Sequence, residues 1–117
     1  MNSVNFATVE DDGTDLVIGL SLEEGTEFGI DGFCIQRTPK FESFLAPHER
    51  GPSVDWTEED VRITVKSIEL NRQSIKIKTT EKKYAFDLSR INDKEYESIV
   101  TILKKMNFDN VFELNIS

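Results

Sequence analysis

Apolar and polar residues alternate over much of this chain, and the phase of the alternation predicts most of its strands. Val4, Phe6 and Thr8 alternate with Asn5, Ala7 and Val9 until EDDGT breaks the run, with Asp12-Gly13 as the turn. Leu16, Ile18, Leu20 and Leu22 then recur with period two, so the two runs predict an antiparallel hairpin. The stretch EEGTEFGIDG carries three glycines and reads as a loop. It leads into GFCIQR, a short strand with Phe33 and Ile35 on one face and Cys34 on the other. The second half is more regular. Val61, Ile63 and Val65 share a face, NRQ turns the chain, Ile75 and Ile77 return inward, and Tyr84, Phe86 and Leu88 add a third run. Lys76 and Lys78 then project from the opposite, solvated face.

One helix follows. Asn92 and Glu95 have the spacing of a capping box. Tyr96, Ile99, Val100 and Leu103 recur at i, i+3, i+4 and i+7, which marks a single apolar face. Acids in the first turn and Lys104 and Lys105 in the last complement the helix dipole. Burying each large apolar side chain of that face contributes roughly 1.5–3 kcal/mol, so the helix reads as structural. The tail VFELNI alternates again and predicts a final edge strand. Between Thr38 and Asp60 no period is visible, and all three prolines (Pro39, Pro47, Pro52) fall there. Phe41, Phe44 and Trp56 within that irregular loop, 38–60, argue for partial order, with the phenylalanines as loop anchors.

These elements predict an α+β fold: a mostly antiparallel sheet of six or seven strands with one C-terminal amphipathic helix packed on it. At 117 residues, the chain suits a single domain, 1–117. No apolar run is long enough to span a bilayer. The N-terminal residues lack the basic and apolar regions of a signal peptide. Cys34 is the only cysteine, so no internal disulfide can form, and a reduced, cytoplasmic setting is expected.

The net charge of −8 is unevenly placed. Residues 1–60 hold fourteen acids against three bases, a net of −11, whereas residues 61–117 hold eight acids against eleven bases, a net of +3. An acidic field of this kind disfavours nucleic acid and anionic membrane as partners and favours a basic protein. Catalytic chemistry finds little support. His48 is the only histidine, in the irregular loop, with no nucleophile at a recognisable spacing. One Cys and one His cannot build a structural zinc site, and the acids from Glu10 to Asp15 lack the EF-hand spacing. No enzyme activity, cofactor or metal is therefore expected. What remains is a surface. Asp55, Trp56, Glu58, Glu59 and Asp60 join a large aromatic to four carboxylates, the composition of a binding hot spot for a basic partner. Asp11, Asp12 and Asp15 form a second, smaller acidic patch.

From Val65 to Phe108 the order of segments resembles the C-terminal half of the immunity protein 10 family, encoded beside polymorphic toxins in bacteria. The resemblance is carried by a strand ending in Ile68-Glu69-Leu70, a short turn and return strand, and an F-x-L strand at Phe86-Asp87-Leu88. An amphipathic helix ending in L-K-K-x-x-F, Leu103 to Phe108, closes the pattern. Upstream, the CIQR of residues 34–37 is similar to that family's strand with a glutamine near its end. The family's glycine-rich turn before the I-E-L strand is replaced here by the proline-containing loop and DWTEEDV. The resemblance implies a non-enzymatic cytoplasmic protein, a monomer or weak dimer, that binds a cognate toxin domain and occludes its active site, as in contact-dependent growth inhibition. A basic nuclease is the target most consistent with the charge. The other reading from the residues is an acidic adaptor or regulatory domain that binds a different basic protein.

Overall fold

The computed structural model describes residues 2–23, 32–47, 50–54 and 63–117. Among the described residues, eight strands and one α-helix follow in the order β1 (Asn2–Asp11), β2 (Leu16–Leu22), β3 (Gly32–Arg37), a 3₁₀ turn (Pro39–Phe44), β4 (Ser53–Val54), β5 (Val65–Leu70), β6 (Ser74–Thr79), β7 (Lys83–Asp87), α1 (Asp93–Met106) and β8 (Glu113–Ile116). The class is α+β as expected, but the sheet has eight strands rather than six or seven. Its order is β4-β3-β2-β1-β7-β6-β5-β8. Most pairings are antiparallel, while β1 with β7 and β5 with β8 are parallel. The extra strand is β4, whose two residues are too short to leave a periodic signature.

The sheet curls until it meets itself. Ser53 of β4 bridges to Thr64, just ahead of β5, and flanking hydrogen bonds run from Val54 N–H to Ile63 C=O (2.9 Å) and from Val65 N–H to Pro52 C=O (2.8 Å). Seven strands therefore form a ring, with β8 added to the outer side of β5. The interior is narrow. Phe33 on β3 touches Tyr84 and Phe86 on β7, at 4.9 and 5.1 Å between ring centroids, although two strands separate them in the sheet.

The seam between the two half-sheets is short, because β1 pairs with β7 only at Asn2 and Ser3. Beyond it, α1 lies along β1. Glu95 Oε2 accepts the Ala7 N–H (2.6 Å), and Lys105 Nζ reaches Asp11 (2.6 Å). The capping box forms as the sequence predicts, with Asn92 accepting the Glu95 N–H and the Glu95 carboxylate accepting the Asn92 N–H. Tyr96, Ile99 and Leu103 are buried, joined by Ile102 and Met106, while Val100 is half-buried at the margin of the core.

β1 departs from its sequence pattern. A bulge between Val4 and Phe6 shifts the phase, so Val4, Ala7 and Val9 face the core while Phe6 and Thr8 are exposed. One extra residue in a strand reverses the faces of everything beyond it. On β2, β3, β6 and β7 the expected inward residues are buried, except Leu16, which is half-buried at the margin of the core.

Candidate functional site

The β1–β2 hairpin brings Asp11, Asp12 and Asp15 to one tip, as the smaller acidic patch requires. Gly13 takes a φ of +86°, the left-handed turn conformation that glycine adopts without strain. Asp12 Oδ1 accepts the N–H groups of Thr14 (2.9 Å) and Asp15 (2.7 Å), and Asp11 Oδ1 accepts that of Gly13 (3.2 Å). The other Asp11 oxygen meets Lys105, and this contact is the main reason that the Asp11 carboxyl stays below its usual pKa range. Asp12 is lowered by the turn amides of Asp15 and Thr14. Asp15 accepts from the Thr38 hydroxyl (2.5 Å) and Gln36 (3.4 Å). Asp11 and Asp12 are thus anionic at neutral pH and hold the turn together, while Asp15 ties the hairpin to the end of β3.

The larger patch, Asp55, Trp56, Glu58, Glu59 and Asp60, lies outside the described residues, as do His48 and Glu49. The structure does fix its root. Residues 55–62 leave from Val54 and return at Ile63, and those two residues are joined by a backbone hydrogen bond.

Close to that root sits a group that the sequence reading did not single out. Arg37, the last residue of β3, follows Phe33 and Ile35 on the inward face, and its side chain is fully buried. All five guanidinium N–H donors are engaged. Nε and Nη2 bond the two oxygens of Glu42 (2.9 and 2.8 Å), while Nη1 and Nη2 bond those of Asp109 (2.9 and 2.8 Å). Nη1 also donates to the Met106 carbonyl at the end of α1. The Phe108 ring covers the guanidinium at 4.4 Å. Glu42 further accepts the Gly51 N–H (3.0 Å).

Electrostatics at this centre oppose burial and win. Desolvation works against the Arg37 charge, yet the bonds to Asp109 and Glu42 outweigh it and raise the pKa. Desolvation likewise pushes Glu42 up, and the Arg37 and Gly51 donors bring it below its ordinary value. Asp109 is lowered chiefly by its bond to Arg37. One arginine thereby clamps the end of β3, the 3₁₀ turn, residue 51 and the loop after α1.

Exposed apolar side chains stand on the segments that the clamp joins. Phe44 and Phe108 are 84% and 60% exposed, and Phe41 and Val111 are exposed beside them in sequence. Phe41 and Phe44 are thus not loop anchors. The residue that anchors the 3₁₀ turn is Glu42, between them, because its carboxylate has a buried cation to meet. Val111 packs against Gly51, whose φ of +116° favours glycine and where a Cβ would meet the Val111 side chain at 3.3 Å.

The opposite charge collects on the outer face of β5–β7. Lys78 stands directly across from Lys83, and Lys76 lies one pair along, opposite Glu69 on one side and Ala85 on the other. With Ser67, these residues line a shallow depression of about 440 Å³. Among the described residues no cluster of His, Cys, Asp or Glu is arranged to hold a metal, and no helix is long and apolar enough to cross a membrane.

The chain matches no family model, no curated protein and no solved structure. The Arg37 clamp had one sequence signal: the inward phase set by Phe33 and Ile35 places a charged side chain in the core, and such a charge needs partners. Nothing in the sequence pointed to Glu42 or Asp109 as those partners.

Proposed function

We propose that this protein is a non-enzymatic inhibitor that binds a basic protein, as an immunity protein binds its cognate toxin domain. The observation that supports this reading is that the charge bias along the sequence follows the strand order of the sheet. Strands β1–β4 are contiguous in the sheet and come from the acidic first half of the chain, whereas β5–β8 come from the mildly basic second half. The segments bearing most of the remaining acids, 24–31 and 55–62, leave from the ends of β2 and β4. An acidic side of this kind steers a cationic partner and raises its association rate by roughly 10–10³ at low salt.

On this reading Asp55, Glu58, Glu59 and Asp60 supply the steering charge, with Asp11, Asp12 and Asp15 as a weaker second patch. Trp56 supplies an aromatic anchor, and the exposed Phe44 and Phe108 add apolar contacts, the latter resting on the Arg37 guanidinium. A standard interface buries about 800 Å² per side. Against 6862 Å² for the described chain, that is about an eighth of the surface, within reach of these residues together.

The test is co-expression with the product of the adjacent upstream open reading frame. Growth rescue and a salt-sensitive complex are expected, and reversing Asp55, Glu58, Glu59 and Asp60 to lysine should abolish both. A complex with a basic protein that has no toxicity to relieve would instead favour the adaptor reading. The absence of rescue and of any complex would count against an inhibitor.

A further inference from the structure

We propose that the outer edge of β8 is a self-pairing surface, through which two copies of this chain join their sheets about a two-fold axis at Asn115. β8 is the terminal strand of the sheet, and it pairs only with β5. The Ser117 N–H donates to the Leu70 carbonyl at 2.9 Å. Backbone groups alternate sides along a strand, so Glu113, Asn115 and Ser117 turn theirs toward β5. Leu114 and Ile116 turn theirs to the open side. No backbone group among the described residues pairs with them there.

The two ends of the sheet are treated differently. β4 is two residues long, follows Pro52 and is closed off by the bridge to Thr64. β8 carries no lysine, no proline and no bulge, the usual devices that keep an edge from pairing.

The occupant follows from the symmetry of the outward groups. A two-fold axis through Asn115 places Leu114 opposite Ile116 of the second copy, and the reverse, so two donors and two acceptors on each strand are satisfied in four hydrogen bonds. Side chains match as well. Leu114 and Ile116 share the inward face with Ile68 and Leu70, their partners on β5. Ile116 is 38% exposed in the single copy, and Leu114 of the second copy would cover it. On the outward face Asn115 meets Asn115 and Glu113 meets Ser117, so no like charges are opposed. Within one copy the Asn115 amide already donates to Glu113 (3.2 Å), which holds that carboxylate along its own strand. A foreign strand would have to reproduce this apolar-polar alternation by chance, whereas a second copy carries it.

The contact is small relative to a standard interface of about 1,600 Å², so a weak, concentration-dependent dimer is expected. Net charge of −8 on each copy repels, so self-association should strengthen with salt, opposite to the behaviour of a complex with a basic partner.

The experiment is sedimentation of the full chain from micromolar to millimolar concentration, with amide exchange followed by residue. Expected is a monomer–dimer equilibrium in which the Leu114 and Ile116 amides become protected as concentration rises, while Asn115 is protected throughout. Ile116→Pro removes an N–H that faces only the open edge, and it should weaken the dimer by about ten- to a hundredfold, since two donors are lost per pair. Ile116→Val keeps the N–H and should leave the dimer intact. A monomer at every concentration with the Leu114 and Ile116 amides unprotected would overturn the proposal. So would a dimer indifferent to Ile116→Pro. Neither result bears on partner binding through the acidic side.

Discussion

Replacing Arg37 with methionine removes a cation but leaves its two carboxylate partners, and Glu42 is then a nearly buried acid with no counter-charge. Breaking a buried pair by deleting one member costs about 3–5 kcal/mol, because the remaining charge has lost both its partner and its water. Two features push Arg37→Met toward the upper end. The arginine side chain is fully buried and Glu42 is 8% exposed, so neither site is wet. The Met106 carbonyl at the end of α1 and both Asp109 oxygens lose donors at the same time. Asp109, 41% exposed, recovers part of its loss from solvent and adds least. A domain of this size has a total stability of about 5–15 kcal/mol, so the variant should be marginal at physiological temperature. Urea unfolding followed by tryptophan fluorescence and far-ultraviolet circular dichroism should show the midpoint fall with an unchanged slope.

The same clamp gives a pH signature. Glu42 and Asp109 have folded pKa values below their ordinary values of 4.5 and 3.8. A group whose folded pKa is depressed contributes stability that is fully present above its unfolded pKa and is lost as the pH falls through the folded one. The parent should therefore lose stability progressively below about pH 4.5. Arg37→Met should flatten that acid limb, since its carboxylates no longer have a cation to lose. The reasoning fails if Arg37→Met unfolds within about 1 kcal/mol of the parent at pH 7, a loss typical of an ordinary point substitution. It fails equally if the variant keeps the parent's acid limb unchanged.

Three further outcomes check other parts of the fold. Asn92→Ala should cost about 1 kcal/mol by removing the acceptor for the Glu95 amide, read as a lower thermal midpoint with native spectra. Gly51→Ala should cost about 1–3 kcal/mol, because it forces a positive φ on a side chain whose Cβ meets Val111 at 3.3 Å; calorimetry would show it. Leu103→Ala should cost about 2–5 kcal/mol by opening a cavity beneath α1, measured by chemical denaturation.

Local pattern made much of this fold legible, and the failures have particular causes. Leu16 to Leu22, Ile75 and Ile77, and Tyr84 to Leu88 each follow one unbroken alternation, so their inward faces were readable. In β1 both phases are apolar, Val4 with Phe6 and Ala7 with Val9, and sequence alone offers no reason to prefer either. The helix decides, since Glu95 and Lys105 bind β1 from the Ala7 and Val9 side. Parallel pairing of β5 with β8 and of β1 with β7 joins residues far apart in the chain, a register that no local period encodes. β4 exists as a strand only because its neighbours pair with it. The candidate site divides the same way. The hairpin acids were legible because a turn signal brings them together, while the Arg37 clamp gathers residues 37, 42, 51, 106 and 109 through tertiary contact.

The strand order also determines whether a charge bias along the chain means anything in space. Had the strands of the two halves interleaved, −11 and +3 would have averaged over one surface. Instead the strands of each half are contiguous in the sheet, β1–β4 and β5–β8, which is what the proposed reading requires. Such an arrangement leaves few bonds to hold the halves in register. The β1–β7 seam covers two residue pairs, and the β4 bridge covers one. The Arg37 clamp compensates, because it ties β3 and the 3₁₀ turn of the acidic half to the end of α1 and to Asp109 in the other. It also lies beneath Phe108, and its partner Glu42 falls between Phe41 and Phe44 in the 3₁₀ turn. The bonds that fix the two halves together therefore also hold the cation on which the Phe108 ring rests. A hydrophobic replacement of similar volume could pack the same space, but it would hold neither Glu42 nor Asp109 at a defined distance. On the proposed reading, a Phe108 ring already held against the Arg37 guanidinium would lose less entropy when a partner binds.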